Sequence, residues 1–192
     1  MGDPAPKLPH FDALYAQIAA LRPGLTGEIL EPGVLRTMSR PGRRHRRAHK
    51  LLFDALGAKD VDRGGRGWWI ELEPEVRLLD ELLVVPDLAG WRVERVPELP
   101  DENPLTLVPD WVCEVLSPTT ARDDRRLKLP LDARARVTHV WLVDPEQRLV
   151  EVFETTDAKP TLVAGGAVDE RVTLPPFDDL PLELSRLWLL EE

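Results

Sequence analysis

The hydrophobic positions along this chain recur with two different spacings, and each spacing predicts one type of secondary structure. From residue 43 to residue 56 they recur every three or four residues, as on one face of an amphipathic helix that Gly57 would end. Elsewhere, short apolar runs bounded by polar or turn residues predict strands. These predicted strands cover residues 68–72, 76–79, 82–85, 88–96, 111–116, 138–143 and 149–154. Strands with helices between them predict an α/β fold, a mixed sheet flanked by helices, in a single domain over residues 1–192.

Turn and capping signals complete this outline. The Glu31-Pro32-Gly33 turn predicts a short strand on each side of it. Hydroxyl side chains in residues 117–120 suit a helix N-terminus, and the helix predicted over about 121–136 should kink or break at Pro130, which lacks a backbone donor. Weaker patterns predict strands near residues 161–163 and 171–174 and a closing helix over residues 182–190. The proline-rich residues 1–9 predict a loose N-terminal tail.

Composition excludes several classes of protein. The 192 residues include one cysteine, Cys113, which excludes an internal disulfide and a cysteine-based zinc cluster. No apolar stretch approaches the roughly 20 residues of a membrane span. The N-terminus lacks the basic start and the apolar core of a signal peptide. We therefore expect a cytoplasmic protein with no membrane association.

The charge of the chain is acidic overall but unevenly distributed. A net charge of −9 argues against a protein coated in positive potential for nucleic acid. However, 12 of the 25 Lys and Arg residues lie in two short segments, six within residues 40–50 and six within residues 122–136. This concentration suits a local phosphate-binding surface. It equally suits two solvated helix faces.

Two carboxylates occur where the hydrophobic pattern predicts buried strands. Glu114 lies inside the apolar run 111–116, and Asp87 follows the run 82–85. A buried charge is costly unless a partner compensates for its lost hydration. Acids on neighbouring strands can converge on one point, where a divalent cation such as Mg²⁺ or Mn²⁺ would offset their repulsion. A Pro-Asp turn for Asp87 and a salt bridge to an arginine for Glu114 are the structural alternatives.

Several motifs together resemble the Uma family of restriction-endonuclease-like proteins, a branch of the PD-(D/E)XK nuclease superfamily. In chain order they are VPDLAGW at 85–91, WVCEVLSP at 111–118, D-x-x-x-K at 124–128 and HVWLVDP at 139–145. The resemblance covers roughly residues 25–190. It implies a restriction-endonuclease-like core that hydrolyses DNA phosphodiester bonds with Mg²⁺ or Mn²⁺. It also implies a homodimer, since a two-strand cut requires two sites.

The resemblance further implies which residues bind the metal. Asp87 and Glu114 would be carboxylate ligands, and the Val115 carbonyl would be a third ligand. The metal would hold the scissile phosphate and lower the pKa of an attacking water. Glu73 is a candidate for a further acid near the metal. The alternative is that it is an ordinary surface charge.

The chain departs from the superfamily pattern at the expected lysine. That lysine should lie two residues after the second acid, where this chain has Leu116. The Uma resemblance implies that Lys128 of the following helix replaces it, where it would orient the attacking water or stabilise charge in the transition state. Asp124, one turn earlier in the sequence, would hold its ammonium. An ordinary helical ion pair between Asp124 and Lys128 is the alternative. A second departure is Asp132, where the family usually has tyrosine.

The basic segment before residue 51 supplies the remaining candidates. Its expected role is contact with DNA backbone phosphates rather than with bases, through Arg43, Arg44, Arg47 and Lys50. His45 would lie near phosphate in the same helix. His45 and His49 also have the spacing of metal ligands, but with no third ligand evident in the sequence we predict no zinc site.

Three functions remain open from the sequence. The favoured one is a metal-dependent endonuclease acting on DNA. The second is a catalytically inactive protein that keeps the nuclease fold and acts as a nucleic-acid-binding or structural homodimer, which the absent lysine at position 116 and the acidic net charge both favour. The third is a metal-dependent phosphoesterase acting on a small nucleotide.

Overall fold

The structure, a computed structural model, describes residues 10–189 apart from the side chain of Ser39. Its helices are α1 (Phe11–Ala19), α2 (Arg43–Leu56), α3 (Ala121–Asp123) and α4 (Leu129–Arg134), with a π-helical segment (Asp124–Lys128) between the last two and 3₁₀ turns at Val61–Arg63 and Leu184–Arg186. Its strands are β1 (Leu25–Glu31), β2 (Val34–Ser39), β3 (Trp68–Leu72), β4 (Val76–Leu78), β5 (Leu82–Val84), β6 (Leu88–Arg92), β7 (Trp111–Val115), β8 (His139–Asp144), β9 (Leu149–Thr156), β10 (Lys159–Ala167), β11 (Arg171–Leu174) and β12 (Phe177–Glu183). The loose tail predicted for residues 1–9 lies outside the described residues.

A six-stranded sheet with the order β10-β9-β8-β7-β6-β3 forms the centre of the fold. Neighbouring strands are antiparallel except for β7 and β8, which run parallel and are connected through α3, the π-helical segment and α4. A four-stranded sheet with the order β2-β1-β5-β4 and a hairpin of β11 and β12 complete the strands. The predicted α/β class, a mixed sheet flanked by helices, is confirmed.

Strand β7 is buried along its whole length, and its side chains alternate between two hydrophobic cores. On one side lies an aromatic core, in which the rings of Trp111, Trp141 and Phe177 pack edge to face with centroids 5.1 to 5.6 Å apart. On the other side, Val112 and Leu116 contribute to a second core, to which α1 and the four-stranded sheet also contribute. Strand β7 therefore lies between two packed layers.

Helix α2 has the bounds that its hydrophobic period predicts. Ala48, Leu52 and Leu56 are fully buried in the aromatic core, at the four-residue spacing of one helical face. The strands β3 and β11 likewise begin and end where the sequence places them. Within residues 10–189, no helix combines the length and apolar character needed to cross a membrane.

The closing helix predicted for residues 182–190 is wrong. Residues 177–183 form strand β12, which pairs antiparallel with β11, and only a short 3₁₀ turn follows at Leu184–Arg186. The apolar residues near this end occur at spacings that fit either structure. Leu182 and Leu184 are both buried two residues apart, which is the period of a strand.

The sequence predicts a kink or a break at Pro130, and the structure shows no break there but a local change in the hydrogen bonding. Backbone hydrogen bonding widens to the π pattern over Asp124–Lys128, directly before the proline, and α4 then continues to Arg134. Proline stands at the start of α4, where its missing N–H is tolerated. The outcome is a continuous helical path with one wide turn.

Helix α1 was not predicted from the sequence. It packs on β1, where Gly27 permits close approach: a Cβ atom at this position would lie 2.6 Å from the Ile18 side chain. Phe11, Leu14 and Ile18 are buried in the second core, at the spacing of one helical face. The helix thus covers β1 beside the strand residue Glu28.

Candidate active site

A cleft of about 680 Å³ opens where the two larger sheets meet the N-terminus of α2 and the residues that follow β7. Seven of the residues singled out in the sequence line it, and they are His45, Glu73, Asp87, Glu114, Val115, Asp124 and Lys128. They come from five separate elements or loops of the chain. The cleft is therefore the place where the predicted metal ligands and the predicted lysine meet.

Asp87 lies directly before β6 and is fixed there by contacts to two other elements. Its Oδ2 accepts a hydrogen bond of 2.7 Å from the Val115 backbone N–H and lies 3.1 Å from Nε2 of His45. Its backbone carbonyl accepts a bond of 3.0 Å from the backbone N–H of Glu73, an exposed residue with a φ of 48°. Leu88 pairs with Cys113 in antiparallel register. One residue further along, Asp87 therefore lies beside Glu114 of the neighbouring strand. Asp87 is therefore anchored to β7 itself.

Glu114 and Lys128 belong to a buried cluster of four charged side chains. The Lys128 ammonium lies 2.9 Å from Oε1 of Glu114, 2.8 Å from Oε1 of Glu28 and 3.7 Å from Oδ1 of Asp124. None of these four residues is more than 4% exposed. Glu28 in addition accepts a bond of 2.8 Å from the Val85 backbone N–H, one residue beyond β5. The cluster therefore joins both sheets and the π-helical segment.

The cluster carries more negative than positive charge. With all four groups ionised, three carboxylates and one ammonium sum to a charge of −2. Burial raises the pKa of Glu114 well above its usual value, with Asp124, Asp87 and Glu28 adding to the shift against the lowering effect of Lys128. Burial likewise raises the pKa of Asp124 to about 6. Such excess buried charge favours uptake of a proton or of a cation.

Lys128 keeps its charge in this site. Burial alone would lower the pKa of its ammonium, but Glu114, Glu28 and Asp124 outweigh that effect and raise the pKa well above its usual value. A lysine that is 3% exposed is thus held at the cleft wall by acids from three elements.

The position of Lys128 has a simple relation to that of Leu116. Side chains two apart in a strand face the same side, so residue 116 shares the side of Glu114. Leu116 is 2% exposed and fills the second core there. Lys128 reaches the same side from the π-helical segment. The structure thus brings a lysine to the acid of β7 although the strand does not supply one.

Two members of the acidic surroundings were missed by sequence reasoning. Glu28 was not considered, although its place in an apolar strand beside Ile29 gives the same signal that identified Glu114. Asp132 was noted only as a departure from the family pattern. It is 2% exposed, and burial raises its pKa to about 7, with Lys128 lowering it and Glu28 and Asp124 raising it.

The basic residues of α2 lie outside the residues that line the cleft. Arg44 is 3.6 Å from Glu146, Arg47 donates a bond of 2.8 Å to the Trp188 carbonyl, and Lys50 is 2.9 Å from Asp54. Arg43 is exposed. Three of the four predicted phosphate-binding side chains therefore have intramolecular contacts. Among the arginines, Arg36 and Arg40 are the ones that line the cleft.

The histidine pair of α2 has the third ligand that the sequence did not reveal. One ligand atom from each of His45, His49 and Asp87 lies within 4.8 Å of the others. Sequence reasoning missed this third residue because Asp87 approaches from a different part of the chain. Within residues 10–189, this trio of metal-ligating side chains lies directly beside the charged cluster.

Residues 12–187 match the family model Uma2, whose description is "Putative restriction endonuclease". The chain belongs to the Uma2 family. No curated protein matches it. Among solved structures, one similar chain is described as "a putative nuclease belonging to DUF820" from Anabaena variabilis ATCC 29413. The two share 21% sequence identity and a TM-score of 0.67, over 84% of this chain and 89% of that one.

Uma2 membership confirms the resemblance noted from the motifs, and the similar structure confirms the fold. The match to the Uma2 model includes every residue that lines the cleft. The Uma2 chain thus has a restriction-endonuclease-like fold in which the buried side chains of Glu28, Glu114, Asp124 and Lys128 line one cleft. The roles of individual residues there are the subject of the proposals that follow.

Proposed function

We propose that this Uma2 protein is a metal-dependent endonuclease that hydrolyses phosphodiester bonds of DNA at the cleft beside β7. The observation that carries the proposal is the meeting of Asp87, Glu114 and Lys128 at one cleft from three separate parts of the chain. Membership of a family whose description is "Putative restriction endonuclease" supports the reaction class. Residues 1–192 would act as one domain.

The donor set suits a hard divalent cation. Asp87 and Glu114 would hold Mg²⁺ or Mn²⁺ with the carbonyl of Val115, because such ions prefer oxygen ligands. The buried excess of negative charge around Glu114 supports this assignment, since a cation would relieve it. When bound, the ion would polarise the scissile phosphate and lower the pKa of the attacking water.

The side chains around the cleft would orient these groups. The Val115 backbone N–H and His45 fix the Asp87 carboxylate by hydrogen bonds, which leaves its second oxygen free of those two partners. Glu28 and Asp124 hold the Lys128 ammonium beside Glu114. Such positioned groups cost little reorganisation when substrate binds.

Lys128 would stabilise the negative charge that develops as water attacks the phosphate. A fixed cation close to the reacting oxygens stabilises a transition state more than the ground state when charge accumulates there. The neighbouring carboxylates raise the pKa of the ammonium, so it would act as a fixed positive charge. Asp124 would position it.

The DNA backbone would approach across the basic segments at the mouth of the cleft. Arg36 and Arg40 line the cleft, and Arg43, Arg44, Arg47 and Lys50 would extend the positive surface along α2. The internal contacts of the last three would exchange for phosphate contacts on binding. A homodimer in the cytoplasm, with two clefts, would cut both strands.

A plasmid-nicking assay tests this function. Wild-type protein with Mg²⁺ or Mn²⁺ should convert supercoiled plasmid into nicked and linear forms, and chelation of the metal should stop the reaction. Asp87→Asn should lower the rate at least a hundredfold, because one ligand loses its charge. Asp157→Asn makes the same chemical change at an exposed turn and should keep the wild-type rate.

Two other outcomes would redirect the assignment. Metal-dependent release of phosphate from free nucleotides, without plasmid nicking, would indicate a small-nucleotide phosphoesterase. Plasmid binding without cleavage at any metal concentration would indicate a non-catalytic nucleic-acid-binding protein. The second outcome has a structural basis, since the Lys128 ammonium already contacts three carboxylates and must keep its position when substrate enters.

A further inference from the structure

Helix α2 presents two imidazoles to the same carboxylate. His45 and His49 are one helical turn apart and therefore lie on one face of the helix. Asp87, which precedes β6, approaches this face, so that one ligand atom from each of the three residues lies within 4.8 Å of the others. Two imidazoles and one carboxylate form a ligand set typical of transition-metal sites.

One ring nitrogen of each histidine has no hydrogen-bond partner among the described residues. These two atoms, Nδ1 of His45 and Nε2 of His49, are buried. A buried polar atom without a partner costs free energy, so its presence at a functional site calls for a ligand. His45 is itself 7% exposed. Nε2 of His49 is thus available to a ligand that Nε2 of His45 and Asp87 would share.

The separation of donor atoms fits a metal as well as a hydrogen bond. Nε2 of His45 and Oδ2 of Asp87 are 3.1 Å apart. Two ligands about 2.1 Å from one ion and at right angles to each other are about 3.0 Å apart, and at the tetrahedral angle about 3.4 Å apart. The observed distance lies between these values. The pair would therefore bind an ion with little movement.

The surrounding charges permit a cation at this point. Although α2 is rich in basic residues, Arg44, Arg47 and Lys50 make contacts to Glu146, Trp188 and Asp54, respectively. The carboxylate of Asp87 faces the histidines. Across the cleft from Asp87, the cluster of Glu28, Glu114, Asp124 and Lys128 carries the excess negative charge.

We propose that His45, His49 and Asp87 bind a divalent transition-metal ion such as Zn²⁺, Co²⁺ or Mn²⁺. Three protein ligands leave coordination positions open, as in catalytic metal sites. His45 and Asp87 line the cleft, so an open position would face it and accept water or a phosphate oxygen. The inference deepens the proposed function through the shared Asp87, but metal binding at the trio does not require the protein to cleave DNA.

The choice of ligands separates this ion from Mg²⁺. Imidazole nitrogen binds borderline ions such as Zn²⁺ and Co²⁺ well, whereas Mg²⁺ prefers oxygen and gives up its waters reluctantly. The trio should therefore select a transition metal when both kinds of ion are present. An ion at the trio would use the carboxylate that the proposed hydrolytic site also uses, so the two sites would be adjacent.

Titration of the whole protein with Co²⁺ tests the inference. Bound Co²⁺ with nitrogen ligands absorbs visible light, and we expect one equivalent to give this absorption and Zn²⁺ to displace it, while a hundredfold excess of Mg²⁺ leaves it unchanged. His49→Gln should weaken Co²⁺ binding at least tenfold. His139→Gln is the matched control, because His139 also has a buried Nδ1 without a described partner but lies on β8, and it should bind Co²⁺ like the wild type.

X-ray absorption spectroscopy of the Co²⁺-loaded wild type gives a readout that does not depend on any variant folding. We expect two imidazole ligands in the shell around the ion. Fewer than two, equal Co²⁺ affinity of His49→Gln and the wild type, or displacement of Co²⁺ by Mg²⁺ would each overturn the proposal. Failure of the nuclease function reads differently: a protein that binds Co²⁺ through two histidines but cuts no DNA keeps this site and loses the proposed reaction.

Discussion

The two sides of strand β7 solve the problem of burial in opposite ways. On one side, Trp111 packs with Trp141 and Phe177 in a core without charge. On the other, Glu114 lies among Glu28, Asp124 and Lys128 in a cluster that is just as buried but carries net negative charge. The first side gains free energy from burial, and the second loses it. The comparison indicates that the charged side is kept for what it does.

The largest expected effect comes from breaking the aromatic side. Phe177→Ala should lower the free energy of unfolding by about 3–5 kcal/mol, because it removes a buried ring whose centroid lies within 5.6 Å of three indoles. Urea denaturation followed by fluorescence measures the change. Leu162→Ala, at a side chain that is 59% exposed, should change the free energy by less than about 0.5 kcal/mol. A Phe177→Ala protein as stable as the wild type would refute this view of the aromatic core.

The next effect comes from removing the cation on the charged side. Lys128→Met leaves the three acids of the cluster buried without their shared cation, and it should cost about 3 kcal/mol of stability at pH 8. The loss should shrink at pH 5, where these acids take up protons more readily. Denaturation at both pH values measures it. The double variant with Glu114→Gln should recover part of the loss, and an equal cost at both pH values would contradict the charge argument.

The smallest of the three effects has the opposite sign. Burial raises the pKa of Asp132 to about 7, so between about pH 4 and pH 7 the folded state binds more protons at this group than the unfolded state does. The contribution of protonated Asp132 to the free energy of unfolding is therefore fully present below the pKa of the unfolded state. It is lost as pH rises through about 7. Asp132→Asn should remove the loss, which is about 4 kcal/mol for a shift of about three pKa units. Because the buried amide of Asn must itself be desolvated, the net gain at pH 8 should be about 2 kcal/mol.

The pH profile of stability provides the measurement for Asp132. Denaturant midpoints of the wild type and Asp132→Asn should converge near pH 4 and separate as pH rises to 8. Asp157→Asn, at an exposed turn, should follow the wild type throughout. A variant that is less stable than the wild type at pH 8 would show that the Asp132 carboxylate has a favourable partner.

Local patterns predicted much of this fold because many elements bury one regular face. The bounds of α2 follow from its four-residue spacing, and the position of Glu114 as an acid in an apolar strand identified the site. Residues 177–183 could not be assigned this way, since their apolar positions suit a strand or a helix. The pairing with β11 decides the matter, and that pairing is a property of the folded chain.

The composition of the charged cluster was harder to predict than the presence of its acids. Glu28 is 86 residues from Glu114 in sequence, and nothing local indicates that the two share a lysine. The same holds for the approach of Asp87 to His49. Contacts of this kind depend on sheet order, which determines the elements that meet at one edge. The sequence identifies unusual residues, and the topology decides which of them meet.

The π-helical segment determines the direction in which the side chains of α4 point. A π turn contains about one residue more than an α turn, and each residue of an α-helix advances the direction of its side chain by about 100°. The wide turn at Asp124–Lys128 therefore works like a single inserted residue that rotates α4 relative to α3. Lys128, Leu131 and Asp132 share one buried face at ordinary helical spacing, and the wide turn sets the direction of that face. A homologue lacking one residue here would direct a different side chain at Glu114, so the length of this segment is itself part of the site.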